Sequence, residues 1–119
     1  MSVKLTNAQM FESLQVLSKV EEKGVLGFAI AQNRRKLTEE LKEYLAKRDE
    51  LLKKYGTDEG NGRFQLKAED VPKFFEEMNP YDNMKTDINV RRVTEEQFCS
   101  GNLTSTQMFA LEWMIESNM

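Results

Sequence analysis

The sequence predicts an α+β domain: a helical hairpin with one long helix plus a C-terminal helix, packed on a small, mainly antiparallel three-stranded sheet. Three observations carry that expectation. Apolar residues recur at steps of three and four over residues 25–55, three short stretches alternate apolar with polar, and the glycine-rich segment 56–62 (GTDEGNG) separates the two kinds of pattern. With 119 residues the chain has material for one core, so residues 1–119 are read as a single domain.

The alternation of Val3 and Leu5 marks the first strand. Thr6 followed three residues later by Gln9 then opens a helix by the capping-box arrangement. The Thr oxygen accepts from the backbone N–H three residues on, while the Gln side chain accepts from the Thr N–H. The same spacing recurs at Thr94/Gln97 and Thr104/Gln107. Two of these starts sit in near-identical heptapeptides, LTNAQMF at 5–11 and LTSTQMF at 103–109. A shared capping device explains them without a duplicated unit.

The first helix is expected over 7–22, with Met10, Leu14 and Leu17 on its inner stripe and Lys23-Gly24 closing it through a left-handed glycine. A second helix follows over 25–55. Its stripe runs Ile30, Arg34, Leu37, Leu41, Tyr44, Arg48, Leu51, Tyr55, and Glu43/Lys47, Asp49/Lys53 and Glu50/Lys54 provide acid-before-base neighbours four residues apart. Antiparallel to a first helix of about 16 residues, a rod of about 31 leaves roughly 20 Å without a partner at 1.5 Å per residue.

Segment 56–62 reads as a loop. Residues 63–67 (RFQLK) and 86–92 (TDINVRR) alternate as the second and third strands. Between them lies a helix opened by Asp70 and Pro72, carrying Phe74, Phe75 and Met78 and stopped by Asn79-Pro80. The last helix is expected over 105–116, with Met108, Leu111 and Ile115 on one stripe and Trp113 and Met114 beside it.

Composition removes several chemistries. Histidine is absent and cysteine occurs once, at Cys99, which excludes a disulfide framework, a Cys/His zinc site and every His-dependent triad. Cys99 has no activating base nearby and reads as a small buried hydrophobe. No metal and no cofactor are expected. Counting twelve from Asp58 reaches Glu69, the length of a calcium loop, yet the third and fifth positions are Gly60 and Gly62 and the sixth is Arg63, so the ligand set fails. The doublets Glu21/Glu22, Glu39/Glu40, Glu76/Glu77 and Glu95/Glu96 point about 100° apart on a helix and cannot converge by themselves. The chain is therefore read as not an enzyme. Among seven methionines, Met108 is assigned to the core, while Met78, Met84, Met114 and Met119 suit either packing or a plastic contact surface.

The net charge is −3, spread unevenly: residues 1–32 are neutral, 33–55 carry +3 and 56–119 carry −6. That balance argues against a general attraction to nucleic acid or anionic membrane. The most apolar run, GVLGFAIA at 24–31, falls short of the roughly 20 residues a membrane helix requires. A lone thiol with no secretory leader points to a reducing cytoplasm.

The order VKLTNAQMF, a long charged helix closing on KKYG, the acidic glycine loop TDEGNGRF, FFEEMN, INVRRV leading into EEQF, and LTSTQMFALEWMI resembles a functionally uncharacterised family of small proteins encoded by bacteriophages and prophages. The resemblance implies a phage setting, in the cytoplasm of the bacterial host, and an accessory or structural role; it lends no catalytic or binding residue.

The function expected is protein interaction, by self-association along the long helix or docking to a phage or host protein. Leu37, Leu41, Tyr44, Leu51 and Tyr55 would form the contact ridge, with Arg34 and Arg48 fixing register. The alternative is a nucleic-acid accessory protein that uses Arg34, Arg35, Lys36, Lys47, Arg48 and Lys53.

Overall fold

The computed structural model describes residues 2–60 and 64–116. In chain order these form β1 (Ser2–Thr6), α1 (Asn7–Leu17), α2 (Gly24–Glu40), α3 (Lys42–Tyr55), β2 (Gly56–Asp58), β3 (Phe64–Leu66), α4 (Val71–Asp82), β4 (Lys85–Asn89), α5 (Glu95–Cys99) and α6 (Ser105–Ala110), with a 3₁₀ turn at Glu112–Met114. The class is α+β. The body measures 47 × 27 × 23 Å.

All three capping boxes form. Thr6 Oγ1 accepts from the Gln9 N–H at 3.1 Å while Gln9 Oε1 accepts from the Thr6 N–H at 2.8 Å, and Thr94/Gln97 and Thr104/Gln107 repeat the arrangement. Asn7 ties the start of α1 to the end of α4, its backbone N–H donating to Met84 O and its side chain to Tyr81 O. α1 is shorter than its apolar pattern suggests and ends at Leu17, where the Ser18 hydroxyl donates to the Leu14 carbonyl. The linker that follows lets Val20 reach the core and sends Glu22 to accept from the Asn102 N–H at 2.6 Å. Gly24 does adopt φ +67°, but it opens α2 instead of closing α1. Gly27 is fixed by close approach: a Cβ there would collide with the backbone carbonyl of Glu22.

The expected rod over 25–55 is broken at Leu41, whose φ −88° and ψ 3° leave the helical region. The hydrogen-bond ladder crosses the break, with Leu41 N–H donating to Leu37 O and Leu45 N–H to Leu41 O, so the rod bends without parting. One turn earlier the Thr38 hydroxyl donates to the Arg34 carbonyl at 2.7 Å, a back-bond that tilts helices.

The three-stranded sheet resolves into two antiparallel pairs. β1 pairs with β4 from Ser2↔Asn89 to Thr6↔Lys85, and β2 pairs with β3 from Gly56↔Leu66 to Asp58↔Phe64. Residues 56–58, expected as loop, are a strand because β3 lies only a few residues further on, and closing so short a connection costs little entropy. Arg63 and Gly62 of the expected strand and loop lie outside the described residues, as does Met119. α4 runs through Pro80 to Asp82, held at its end by Asn83, whose backbone N–H and side chain both donate to Asn79 O. The last helix stops at Ala110. Ile115 then pairs in parallel with Val93, through Val93 N–H to Met114 O and Glu116 N–H to Val93 O, and this bridge replaces the final helical turn.

The core joins Leu5, Met10, Leu17, Leu26, Ile30, Leu37, Leu41, Phe74, Met78, Ile88, Val90, Phe98, Leu111 and Met114. α2 lies between α1 and α5, whereas α3 packs on α4 and the β2–β3 hairpin.

Candidate interaction surfaces

The expected contact ridge is the inward face of the bent rod. Leu37, Leu41, Tyr44 and Leu51 are buried by the chain's own α1, α4 and hairpin, and Tyr55 is half-buried. Arg34 stands outside the stripe, exposed. Its expected place is taken by Asn33, which is fully buried and clamps Arg91: Asn33 Nδ2 donates to Arg91 O at 2.8 Å and Asn33 Oδ1 accepts from Arg91 N–H at 2.7 Å. Arg48 packs within the chain, its guanidinium 5.0 Å from the centre of the Phe11 ring. The ridge is thus covered by the chain's own α4 and hairpin.

Ser13 and Tyr44 are hydrogen-bonded within the core. Ser13 Oγ donates to Ala110 O and accepts from Trp113 Nε1 at 3.1 Å, tying α1 to the C-terminal segment. Tyr44 donates to Asp82 Oδ1 at 2.5 Å. Burial first, then this hydrogen bond and the Asp82 charge, push the Tyr44 phenol well above its ordinary range, with Arg48 opposing.

Three of the six basic residues of the nucleic-acid alternative are engaged within the chain. Lys36 donates to Asn89 O at 2.6 Å, Lys47 pairs with Glu50 and sits over the Tyr81 ring, and Arg48 covers Phe11. Arg34, Arg35 and Lys53 are exposed, the two arginines on α2 and Lys53 near the end of α3, on opposite sides of the bend. Among the described residues the ion pairs of the rod run Glu39–Lys42, Lys47–Glu50 and Lys54–Glu77, none of them at the expected spacing of four. Cys99 is exposed, and its neighbour Phe98 fills the core position assigned to it. Met78 and Met114 are core residues, Met108 is half-buried against the core, and Met84 is exposed.

Among the described residues five large apolar side chains remain exposed: Val25, Phe28, Phe75, Met84 and Phe109. Phe75 stands at a groove of about 320 Å³ that Phe11, Leu52 and Met78 line together with Tyr44, Arg48 and Asp82. Phe109, 77% exposed, stands at a larger cleft of about 590 Å³ between α1, β1 and the C-terminal segment. Leu5, Trp113 and Ile115 give this cleft apolar walls, and its charged lining is acidic, Glu12 and Glu112, with no basic residue.

On α2 the run GVLGFAIA turns Leu26, Ala29 and Ile30 inward and leaves Val25 57% and Phe28 62% exposed. Neither Phe28 nor Phe109 was expected at a surface. The signal for Phe28 was present, because a helical turn that is apolar all round presents apolar side chains on its outer side as well. For Phe109 the six-residue α6 is too short for periodicity to separate its faces.

Among the described residues no helix is long and apolar enough to cross a membrane, and no three His, Cys, Asp or Glu side chains gather as a metal site. No protein-family model, curated protein or solved structure matches the chain.

Proposed function

We propose that the chain is a non-enzymatic protein-interaction module whose contact surface is the Phe109–Trp113 cleft, acting in the phage or prophage setting that the sequence resemblance implies, in the bacterial host cytoplasm. The observation that carries this reading is Phe109, left 77% exposed beside an apolar-walled cleft, where twenty other hydrophobic residues among those described are buried. An exposed aromatic anchor next to a concave apolar surface is the arrangement from which protein contacts draw most of their energy. A nucleic-acid role has less support, because half of the basic residues it would use are engaged within the chain.

The test compares the wild-type chain with Phe109→Ser as bait in infected or lysogenic cells, followed by titration of the recovered protein, once purified, against both. The expected result is a partner whose affinity falls at least about tenfold with the variant, as for loss of an aromatic anchor. Equal affinity for both chains would remove the cleft from the interaction.

A further inference from the structure

We propose that the Phe109–Trp113 cleft receives the outer face of α2 from a second copy of this chain, so that copies associate head to tail; this rests on the interaction reading above and names its partner.

Two surfaces of one molecule match in polarity and charge. The donor is a helix face. Residues 25, 28, 31, 32 and 35 project from the side of α2 opposite its buried stripe, and they read Val, Phe, Ala, Gln and Arg. Phe28 and Arg35 lie two turns apart, about 10 Å along the axis. A second cation stands alongside, for Arg91 is exposed and its Nε donates to Gln32 Oε1 at 2.7 Å. The face therefore has an apolar centre and a basic flank formed by Arg35 and Arg91, while its N-terminal end carries both Lys23 and Glu21.

The receiver is concave and of opposite sign. Its walls are Leu5, Trp113 and Ile115, with Phe109 exposed beside them, and its charges are Glu12 and Glu112. A volume of about 590 Å³ lies within the range of pockets that enclose apolar groups, and a helix laid in a groove is a standard way of filling one. Burying Phe28 and Val25 there removes exposed apolar surface from both copies, while Arg35 and Arg91 approach carboxylates that have no basic residue beside them in the cleft.

Unlike surfaces are joined, so the contact is heterologous. Each copy offers a face and a cleft, and association continues until a ring closes or a filament forms. Disabling the face in one molecule and the cleft in another leaves one good contact between them.

Sedimentation velocity from low to high micromolar concentration tests the proposal, with Phe28→Ser and Phe109→Ser made at exposed positions and their folds checked by circular dichroism. Wild type is expected to grow in mass with concentration and to dissociate in high salt. Each variant alone is expected to be monomeric, with association weakened at least about tenfold. An equimolar mixture of the two is expected to give a discrete heterodimer, in which the Phe28→Ser molecule supplies the cleft. A monomeric wild type at high micromolar concentration would overturn the proposal, as would a mixture that stays monomeric or variants that associate like wild type. A foreign partner that still requires Phe109 under those outcomes would leave the interaction reading intact; loss of both results would remove it too.

Discussion

The two halves of the bent rod carry the same sequence pattern and have different surroundings. α2 is enclosed by α1, α5 and the segment after β4, and its buried face includes a fully satisfied polar residue, Asn33. α3 is covered on one side by α4 and on another by the β2–β3 hairpin, and Leu45, Leu52 and Tyr55 stay only half-buried. Apolar periodicity measures how much of a helix is greasy. It does not measure how firmly that face is held, and here the firm half is the one whose stripe contains an amide.

The sharpest way to break the contrast is Asn33→Leu. Its side chain supplies both partners of the Arg91 backbone, and an isosteric apolar residue leaves a part-buried N–H and C=O without either. Two orphaned groups at about 1–3 kcal/mol each make a loss of about 3–4 kcal/mol the expected outcome, read as a lower midpoint in urea unfolding. A loss below about 1 kcal/mol would show that water replaces the clamp.

Next in size is the difference in local opening between the halves. Amides of α3 are expected to exchange with solvent sooner than those of α2, because a hairpin of two three-residue strands can open without exposing the main core. Leu51→Ala should cost about 2–3 kcal/mol and accelerate exchange in α3 and the hairpin, leaving α2 unchanged. Equal protection along residues 24–55 would mean that the bend at Leu41 does not divide the rod energetically.

Tyr44 stands just past that bend and reports on it through pH. Tyr44→Phe removes the donor to Asp82 and should cost about 2 kcal/mol near neutrality. The folded phenol titrates above its ordinary range, so its contribution is complete below the unfolded value of about 10 and fades as pH rises beyond it, where only the unfolded chain releases the proton. Wild type is therefore expected to lose stability progressively as pH rises above about 10, and Tyr44→Phe to lose less. The same residue should give a late component in the phenolate absorbance titration, missing from the variant.

How much of this was legible follows from what each signal encodes. The Thr/Gln spacings specify hydrogen bonds within four residues, and all three formed as read. The alternation at 86–92 is equally local, and β4 occupies its first half. The Gly56–Asp58 strand was not legible, because Gly-Thr-Asp carries no alternation and pairs only through its nearness to Phe64–Leu66. Nor was the early end of the last helix, which depends on Val93, more than twenty residues away, offering a backbone partner to Ile115. For the candidate site the limit was of another kind. Spacing identified Leu37, Leu41 and Leu51 as one apolar edge correctly, yet which segment covers an edge is a tertiary fact, and Asn33 was passed over because a polar residue in a stripe looks like its border.

The smallest expected effect lies on the exposed side of α3, at Lys54 and Glu77, 3.2 Å apart. Hydrogen bonds from Tyr55 and then from Lys54 hold the Glu77 carboxyl below its ordinary range, and those to Glu77 and then Tyr55 raise the Lys54 ammonium. A lowered acid contributes above its unfolded value and fades as pH falls, while a raised base contributes below its unfolded value and fades as pH rises, so any support from the pair is confined to the broad window between them. Both side chains face water, where entropy and screening offset the attraction. Lys54→Met and Glu77→Gln, singly and together, are thus expected to leave the unfolding midpoint near neutrality unchanged within error, at low salt as at high. A salt-dependent coupling in that double-mutant cycle would show that α3 is held to α4 by charge as well as by packing, and would narrow the contrast with α2.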